Sequence, residues 1–482
     1  MRNSKRYLGI AAVLLVLSGA VLGCERGSEK GARGEEPQSP EKLIEEGKVE
    51  WDYFMDDYKM LGLALSEYSA SDFDESGEIE FQTEYPVIDE RMESISCMIS
   101  NHTGEDLEFG TEYALEVKGG EAWYQVPFPE NMGWEAVAIV LPDGESFGKV
   151  INLEMMEYTF RDGEYRIVMR IGERLVKAEF RMGESQITPE TPFGYLPLQE
   201  LPEDYSLEEA VANGDVVFSF GETYNLEKLL HFVQNARLGL PAMVRLVSFT
   251  VEGDPIIYDI QRNVTYGGME WYHFSQDVTR DGFSAPDDRT IWEQNYSYLV
   301  TDGRDLYLSN YAEYREDTGN WKEGRCIVFQ DGLQTKEEAE EVWEQYETIL
   351  AWTKEMTDKR LEGNSIRLKV MSPDGSRYVC LDKDQEKGGN SFGYGMEGYG
   401  DGDFRIPDAE GGQKVIVIVD FEWLNDEEVR LHCRETLEIS DGEQEEQYFT
   451  MIFRPGDTGG EASLGERNYE DPYLQGLSYL AE

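Results

Sequence analysis

The sequence is poor in the residues on which histidine- and metal-based enzyme chemistry depends. It contains four histidines in 482 residues, at positions 102, 231, 273 and 432, and no HExxH motif. This scarcity argues against a zinc hydrolase and against a Ser-His-Asp triad. Carboxylate pairs, in contrast, are so frequent among 98 acidic residues that none of them indicates a glycosidase.

Cysteine is also scarce, and its spacing excludes the usual zinc motifs. Besides Cys24 there are Cys97, Cys326, Cys380 and Cys433, with no CxxC pair. Cys380 and Cys433 lie in one predicted β-domain, so theirs is the one disulfide worth naming. The alternative is that both are free buried thiols, which pack as small hydrophobic groups.

Positive charge is deficient as well. The chain has 43 Lys and Arg against 98 Asp and Glu, a formal charge of −55. Such a surface repels nucleic acid, so nucleic-acid partners are excluded. With 40% hydrophobic and 12% aromatic residues the chain is nevertheless a folded protein. Its length predicts about three domains.

Long apolar runs are absent apart from one near the N-terminus. Residues 8–22 follow Arg2, Lys5 and Arg6, and the run is shorter than the ~20 residues of a membrane-spanning helix. The following Val21-Leu22-Gly23-Cys24 resembles the lipobox of bacterial lipoproteins. The resemblance implies a signal peptide over 1–23, a diacylated Cys24 and a chain held at the extracytoplasmic face of the cell membrane. The alternative is an ordinary signal peptide in which the cysteine is a coincidence.

The next two segments differ in their patterning. Residues 24–40 are rich in Gly, Glu, Ser and Pro, which predicts a flexible stalk. In 41–75, apolar residues recur at intervals of three and four, including Leu43, Trp51, Phe54 and Tyr58. This spacing predicts a helical segment.

Residues 76–183 alternate short apolar strands with turn signals, which predicts a β-sandwich. The order Ile-x-Asn-x-Thr-Gly, Phe-Gly-x-x-Tyr-x-Leu-Glu, Trp-x-x-Val-Pro, Leu-x-x-Gly-Glu-Ser and Gly-x-Tyr-Arg-Ile-Val resembles a bacterial immunoglobulin-like domain found in lipoproteins of Gram-positive bacteria. The resemblance covers about 77–183, and it implies a fold without an activity.

Residues 184–204 contain four prolines and are predicted to be a linker. From 205 to 360 helices and strands mix, which predicts an α+β domain. It opens with a capping box at Ser206–Glu209 and ends in an acidic helix from Thr335 to about Lys359. Asn225 is predicted to cap another helix. Ala-x-x-Asn-Gly-Asp-Val-Val and Val-Arg-Leu-Val-x-Phe-Thr-x-Glu-Gly-Asp-Pro-Ile resemble an uncharacterised domain family of Bacillus-type lipoproteins, over about 205–330.

The C-terminal part, 361–456, is predicted to be a β-domain with a long glycine-rich loop over 388–402. Residues 457–482 are predicted to be a loose acidic tail. The predicted fold class is therefore multidomain and β-rich: an immunoglobulin-like β-sandwich, then an α+β domain and a C-terminal β-domain.

Three motifs are rejected or weakened by their context. The G-x-S-x-G at Gly144–Gly148 enters a strand, whereas a nucleophile elbow needs a helix after the serine. The G-x-G-x-x-G at Gly393–Gly398 is not followed by a helix that could bind phosphate. The acidic stretch from Asp382, with Asp401 nearby, could bind calcium, but its sixth and twelfth positions are wrong for an EF-hand, and a solvated turn is the alternative.

One group of residues in the middle domain is a candidate ligand site. Arg245, Thr250, Glu252, Asp254 and Asp277 surround a predicted strand turn, with Trp271 close in sequence. Polar groups beside exposed aromatic rings can bind a ligand. The alternative is a hairpin with solvated charges and core aromatic residues.

These observations predict a membrane-anchored, extracytoplasmic lipoprotein that acts as a non-enzymatic binding or interaction module at the cell envelope. Its partners would be the membrane, through the N-terminal lipid, and an envelope or extracellular protein. No cofactor is predicted. A regulator of an envelope enzyme or receptor, as inhibitor or sensor, is the alternative, and a hydrolase with an unrecognised site comes third. Solute capture is disfavoured because alternating βαβ units are lacking.

Overall fold

The computed structural model describes residues 63–475, except 130–131, 135, 266–267, 313, 316–319, 322–323, 363–365, 383–389, 397–399, 408–414, 439–443 and 457–461. The predicted signal peptide, the stalk with Cys24, and residues 41–62 of the predicted helix lie outside these described residues. Within the described ranges the chain is β-rich, with many strands and few helices, as predicted. No helix found there is long and apolar enough to span a membrane.

The first domain is a β-sandwich, as its alternating pattern predicts. Its strands are β1 (Ile79–Thr83), β2 (Val87–Ile88), β3 (Ser94–Asn101), β4 (Leu107–Phe109), β5 (Ala114–Gly119), β6 (Ala122–Gln125), β7 (Ile139–Leu141), β8 (Ser146–Asn152), β9 (Gly163–Ile171) and β10 (Arg174–Met182). One sheet has the order β1-β3-β8 and the other β2-β10-β9-β5-β6, while β4 pairs with β7. Inward-facing side chains such as Ile99, Leu115 and Ile167 are fully buried.

The helix predicted over 41–75 is wrong for its described part. Residues 63–73 are extended apart from a 3-10 turn at Ala70–Asp72, with bridges from Leu65 to Tyr124 and from Phe73 to Leu175. This segment covers the outer face of the five-stranded sheet, where Phe73 is buried beside Val168 and Leu175. Tertiary contacts thus decide the conformation of this segment, to which the prediction extended the helix from the spacing further upstream.

Residues 184–204 connect the first two domains and are packed against them. Ile187 is buried at the edge of the sandwich, where its carbonyl accepts a hydrogen bond from Asp89 N. Leu198 and Leu201, in and after a 3-10 turn at Leu198–Glu200, are buried in the core of the next domain. Because these side chains are buried, residues 184–204 are held in place more firmly than the proline-rich composition of a linker predicts.

The middle domain has an α+β architecture. Its helices are α1 (Leu207–Ala212), α2 (Leu226–Arg237) and α3 (Glu340–Leu361), and its strands are β11 (Val216–Ser219), β12 (Glu222–Tyr224), β13 (Ala242–Phe249), β14 (Pro255–Val264), β15 (Glu270–Asp277), β16 (Ile291–Tyr296), β17 (Tyr298–Thr301), β18 (Leu306–Ser309), β19 (Tyr314–Arg315), β20 (Asn320–Trp321) and β21 (Arg325–Val328). A six-stranded sheet has the order β12-β11-β13-β14-β15-β16, and β17-β18-β21 form another. Only β11 and β13 pair in parallel within the larger sheet.

The two faces of the six-stranded sheet are covered differently, because successive side chains on a strand point to opposite sides. One face, with Leu246 and Phe274, packs against α2, α3 and the three-stranded sheet. The other face, with Val247 and Ile257, packs against α1 and the segment that contains Leu198.

The helix ends confirm one cap prediction, correct the other, and shift one predicted helix start. Ser206 and Glu209 form the capping box of α1. Asn225 precedes α2 as predicted, but its side chain donates to the carbonyls of Val211 and Asp215 and does not cap the helix. Thr335 bonds Glu338 ahead of α3, and the helix itself begins at Glu340.

The C-terminal domain is a second β-sandwich. Its strands are β22 (Ile366–Met371), β23 (Arg377–Asp382), β24 (Ser391–Met396), β25 (Gly400–Arg405), β26 (Val415–Asn425), β27 (Glu428–Glu438), β28 (Gln444–Arg454) and β29 (Ser463–Leu464). The sheets β22-β23-β24-β25 and β26-β27-β28-β29 enclose one core, rich in phenylalanine. Tyr311 from the preceding domain enters this core and bridges to Leu368.

The prediction of a glycine-rich loop over 388–402 is wrong for the residues that the structure describes, because β24 and β25 lie there. The glycines permit close packing of neighbouring groups. A Cβ on Gly393 would lie 2.7 Å from Cys380 Sγ, and one on Gly402 would lie 2.9 Å from the Tyr394 ring. Phe392 and Tyr394, on either side of Gly393, supply apolar contacts that hold β24 against the core of the sandwich.

The disulfide considered between Cys380 and Cys433 is also wrong. The two buried sulfurs are not bonded to each other, since Cys380 lies on β23 and Cys433 on β27, in different sheets. Burial raises the pKa of both Cys97 and Cys326, the other two thiols, to about 12.

The acidic tail is ordered over its described part, 462–475, contrary to the prediction. β29 extends the sheet, Asn468 bridges to Thr450, and Arg467 forms an ion pair with the buried Glu435 at 2.8 Å. Backbone pairing and this buried charge explain why a polar segment packs.

The first two domains approach each other closely at β8 and α2. His231 Nε2 lies 2.7 Å from Glu84 Oε1, and this hydrogen bond raises the pKa of His231. Arg237 forms ion pairs with Glu145 and Glu355 at 2.8 and 3.0 Å. These contacts join the sandwich to the α+β domain.

Gly148 lies at the centre of this contact and explains the last glycine of the G-x-S-x-G motif. A Cβ there would lie 2.5 Å from the Leu238 carbonyl oxygen and 2.8 Å from Leu240 Cγ. We expect Gly148→Ala to lower the free energy of unfolding by about 1–3 kcal/mol, because a backbone oxygen cannot move aside cheaply. Urea denaturation of both proteins measures the change.

The matched control is Gly110→Ala, in the same sandwich, where a Cβ would meet nothing within 4 Å. Its free energy of unfolding should stay within about 0.5 kcal/mol of the wild type. Equal stability of Gly148→Ala and Gly110→Ala would contradict the close approach of the two domains.

Candidate ligand-binding site

A cavity of about 420 Å³ lies between the edge of the six-stranded sheet and the C-terminal sandwich. Both polar and aromatic side chains line it: His273, Glu293, Gln294, Asn295, Asn310, Tyr311, Leu368, Val370, Met371, Pro373, Asp420, Phe421, Glu422 and Trp423. Its size is within the range of small-molecule and side-chain pockets. Since β15 and β16 supply one wall and β22 and β26 the other, neither domain contains the site alone.

His273 is held in one orientation and one tautomer by its neighbours. Asn295 Nδ2 donates to the carbonyls of Ser372 and Pro373 at 2.6 and 2.9 Å, so its Oδ1 faces His273 Nδ1 at 2.8 Å. An amide oxygen only accepts, and Nδ1 must therefore carry the proton. The neutral ring then has its lone pair on Nε2.

The hydrogen bonds continue from His273 to Ser275, whose Oγ lies 3.3 Å from His273 Nε2. The order serine, histidine, asparagine is that of a nucleophile, a base and an orienting group. Ser275, however, is only 5% exposed and does not line the cavity. Its hydroxyl is placed to donate to Nε2 and to hold the ring.

Carboxylates surround the open part of the cavity. Glu293 Oε1 is 3.9 Å from His273 Nε2, and its side chain is 56% exposed. Glu422 forms an ion pair with Arg430 at 2.5 Å. Asp420 is a third carboxylate on the opposite wall. The lining thus presents more hydrogen-bond acceptors and negative charge than donors.

Trp423 provides a fixed aromatic surface beside these acceptors. Its Nε1 donates to the Val370 carbonyl at 3.1 Å, and its half-buried ring packs at the margin of the sandwich core. Nearby, burial lowers the pKa of His432, which keeps this histidine neutral near pH 7. An aromatic face next to carboxylates suits a positively charged group.

The candidate residues predicted from the sequence are not brought together at this cavity or at any single place. Arg245 is buried and pairs with Asp259 through two bonds of 2.7 and 2.8 Å. It also donates to the Leu196 carbonyl at 2.7 Å. Its contacts hold the connecting segment onto the sheet, so its role in the structure is packing.

The turn residues Thr250, Glu252 and Asp254 join β13 to β14 as predicted. Asp254 accepts a hydrogen bond from Gly282 N at 2.9 Å, and Thr250 N bonds the Asp254 carbonyl. Glu252 is exposed. Asp277 is buried next to this end of the sheet and is paired with Arg280.

Trp271 lies at the other end of β15. It pairs in register with Asn263, whereas Asp277 pairs with Ile257, so the two residues are separated by about 20 Å of strand. Its ring packs on Gly375, where a Cβ would be 2.3 Å from Cζ2. The predicted ligand site is therefore divided between two ends of the sheet.

The residues proposed to bind calcium, Asp382 and Asp401, are not brought together either. Asp382 ends β23 opposite Ile366, while Asp401 pairs with Gly395, which is level with Tyr378. The backbone positions of the two residues are thus four residues apart along the strands. In the described ranges no group of three His, Cys, Asp or Glu side chains is arranged to hold a metal ion.

The cavity residues Glu293, Asn295, Asp420 and Trp423 were not among the predicted site residues. The sequence contains a weak signal, since β16 has three polar residues in succession, Glu293, Gln294 and Asn295. What could not be inferred is that β26, over a hundred residues later, supplies the facing wall. In the sequence, His273 is only one of four scattered histidines, and nothing local marks it as a site residue.

Comparison with known proteins identifies two domains of a multidomain, β-rich protein. The profile of a bacterial Ig-like domain matches residues 75–181. The profile of a domain of unknown function, DUF4362, matches residues 213–311. The predicted immunoglobulin-like domain and the predicted domain of an uncharacterised family are thereby confirmed. The second domain supplies His273, Glu293 and Asn295 of the cavity.

A search of curated proteins gives no match. Among solved structures, a β-glucosidase from Erythrobacter marinus is 13% identical over 22% of this chain and 15% of its own, with a TM-score of 0.15. A Listeria innocua β-glucosidase in complex with gluconolactone is 14% identical over 22% and 16%, with a TM-score of 0.14. The periplasmic gluconolactonase PpgL of Pseudomonas aeruginosa is 8% identical over 74% and 96%, with a TM-score of 0.12. The chain therefore spans less than a fifth of either glucosidase.

Proposed function

We propose that this protein is a binding module of the cell envelope, held at the extracytoplasmic face of the membrane by a lipid on Cys24. The lipobox resemblance of Val21–Cys24 supports the anchor, and the Ig-like and DUF4362 domains are compatible with a non-enzymatic binding role. Two acyl chains on the cysteine would hold the chain firmly, whereas one would bind marginally.

The proposed recognition site is the cavity beside His273, and its occupant is a positively charged group on an envelope or extracellular protein. The observation that carries this proposal is the excess of carboxylates: Glu293 on one wall, and Glu422 and Asp420 on the other. The ring of Trp423 adds a face for cation–π contact. A lysine or arginine side chain has this chemistry.

The role proposed is binding and not catalysis. A nucleophile must reach its substrate, and the only hydroxyl bonded to His273 among the described contacts, that of Ser275, lies below the cavity lining.

Cross-linking in intact cells tests the proposal. A photoreactive residue placed at Pro373, an exposed residue of the cavity lining, should capture one envelope or extracellular protein from cells that carry the full chain. Glu293→Gln should reduce the yield about fivefold, since one partly exposed charge contact contributes about 1 kcal/mol. Raised salt should reduce it further because it screens this attraction.

Glu337→Gln is the matched control, an exposed carboxylate that does not line the cavity. Its yield should equal that of the wild type. Capture that is equal in Glu293→Gln and Glu337→Gln would refute the cavity as the recognition site. If the captured protein is an enzyme whose activity changes on loss of this protein, the module acts as a regulator.

A further inference from the structure

A second cavity of about 430 Å³ lies on the opposite face of the six-stranded sheet from His273. Phe274, the next residue on β15, points into it, together with Phe218 and Leu246 from β11 and β13. Tyr258 and Val328 complete the mostly apolar lining, between the sheet and β21. The volume suits a small ligand. Because the walls of the cavity are apolar, they exclude a strongly hydrated ligand.

Arg325 is the one cationic side chain in this lining. Its guanidinium lies 5.3 Å from the ring centre of Phe274 and 5.7 Å from that of Trp292. One nitrogen donates to Gln276 Oε1 at 2.5 Å. These contacts fix the guanidinium at the cavity, and a guanidinium presents more donors than one neutral acceptor uses.

The pairing of Arg325 differs from that of three other arginines in the domain. Arg237, Arg245 and Arg280 each form an ion pair with a carboxylate. Across the described ranges, no carboxylate oxygen lies within 4.0 Å of Arg325, although the protein has 98 acidic residues. A half-buried cation without such a partner favours an anion brought by a ligand.

The mouth of the cavity is apolar as well. Phe329, in its lining, is 60% exposed, and Phe220, in the turn after β11, is 72% exposed. Because Phe218 and Ser248 are paired in register, this turn lies at the same end of the sheet as Val251, which is 81% exposed. Phe220 also adopts a φ of +50°, which a bulky side chain rarely does. Exposed apolar groups around a pocket are typical of a binding surface.

We propose that this second cavity binds a single-chain amphipathic carboxylate of the fatty-acid class. The hydrocarbon part lies among Phe218, Leu246 and Phe274, and the carboxylate bonds Arg325. The charge complementarity of one cation at an apolar pocket selects this occupant over a neutral lipid or an organic cation. The site is separate from the cavity beside His273, so either proposal can fail without the other.

Photolabelling of the full chain in cells tests this inference. The probe is a fatty acid with a diazirine in its alkyl chain, and the labelled residues are mapped by mass spectrometry of peptides. Labels are expected on the cavity lining, within 324–332 or on β13 and β14. Decanoate should compete with the probe, whereas decyltrimethylammonium should not.

Three variants separate charge from packing. Arg325→Gln should reduce labelling of the cavity about tenfold or more, because a charged hydrogen bond is lost. Arg325→Lys should restore most of it, and Ser248→Trp, which fills the cavity, should abolish it. Arg304→Gln, whose side chain is exposed outside the cavity, should label like the wild type. Melting temperatures confirm that each variant is folded.

Two results would overturn the proposal. One is labelling of the cavity that is equal in Arg325→Gln and Arg304→Gln, or that decyltrimethylammonium displaces as well as decanoate does. The other is labelling that falls outside the cavity lining in the wild type. Glu293→Gln should leave the labelling unchanged, because it lies on the opposite face of the sheet.

Discussion

Arg166→Leu is expected to lower the free energy of unfolding by about 3–5 kcal/mol, because it leaves the buried carboxylate of Glu116 without its cation. The two residues face each other in register on β9 and β5, with a distance of 2.6 Å and exposures of 3% and 0%. The guanidinium lies between the rings of Phe73 and Trp123, at 4.8 and 4.4 Å. Urea denaturation measures the loss.

Two further variants serve as controls. Arg166→Leu with Glu116→Leu should recover much of the loss, since a buried ion pair can often be replaced by apolar groups. Lys118→Gln removes the exposed partner of Glu164 in the same sheet and should cost less than about 1 kcal/mol. If Arg166→Leu costs no more than Lys118→Gln, the pair does not hold the N-terminal segment on the sheet.

Cys24→Ala is expected to change the location of the protein nearly completely without affecting its fold. Without the thiol no diacyl chain can be attached, so the protein should appear in the medium or stay as an uncleaved precursor. Fractionation of cells with detection of the protein in membrane and medium measures this result.

The control for this change is Cys326→Ala, which removes a half-buried thiol of the middle domain. That variant should stay with the membrane fraction. A Cys24→Ala protein that is still processed and membrane-held would refute the anchor and, with it, the proposed location.

The strand pattern of the first sandwich was predictable because its signals are local. Alternation over Ser94–Ile99 and the Gly119–Gly120 turn recur in β3 and in the β5–β6 hairpin. The same holds for the capping box of α1 and for the turn at Glu252–Asp254. In each case neighbouring residues suffice to specify the backbone.

The errors arose where distant contacts decide the local structure. The predicted helix was continued to residue 75 from the apolar spacing of residues 43–61, yet backbone pairing with Trp123 and Leu175 holds residues 63–74 mostly extended. Glycines over 388–402 suggest a loop, but aromatic neighbours and close packing on Cys380 make strands. Local propensity is a weak signal against such tertiary contacts.

The candidate ligand site was the hardest part to predict for the same reason. The sequence places Trp271 and Asp277 six residues apart, and only the strand geometry puts them at opposite ends of β15. His273 and Trp423 are 150 positions apart in sequence and line one cavity because two domains meet there.

The sequence by itself determined the composition-based exclusions, the lipobox resemblance at Cys24, the β-rich domain order and most strand positions. These depend on local pattern and on charge, which the chain carries in any conformation. The tertiary structure alone decided that Cys380 and Cys433 are not joined by a disulfide, that Arg166 pairs with Glu116, and which residues line the two cavities. Such contacts join residues whose separation in sequence contains no information about their distance in space.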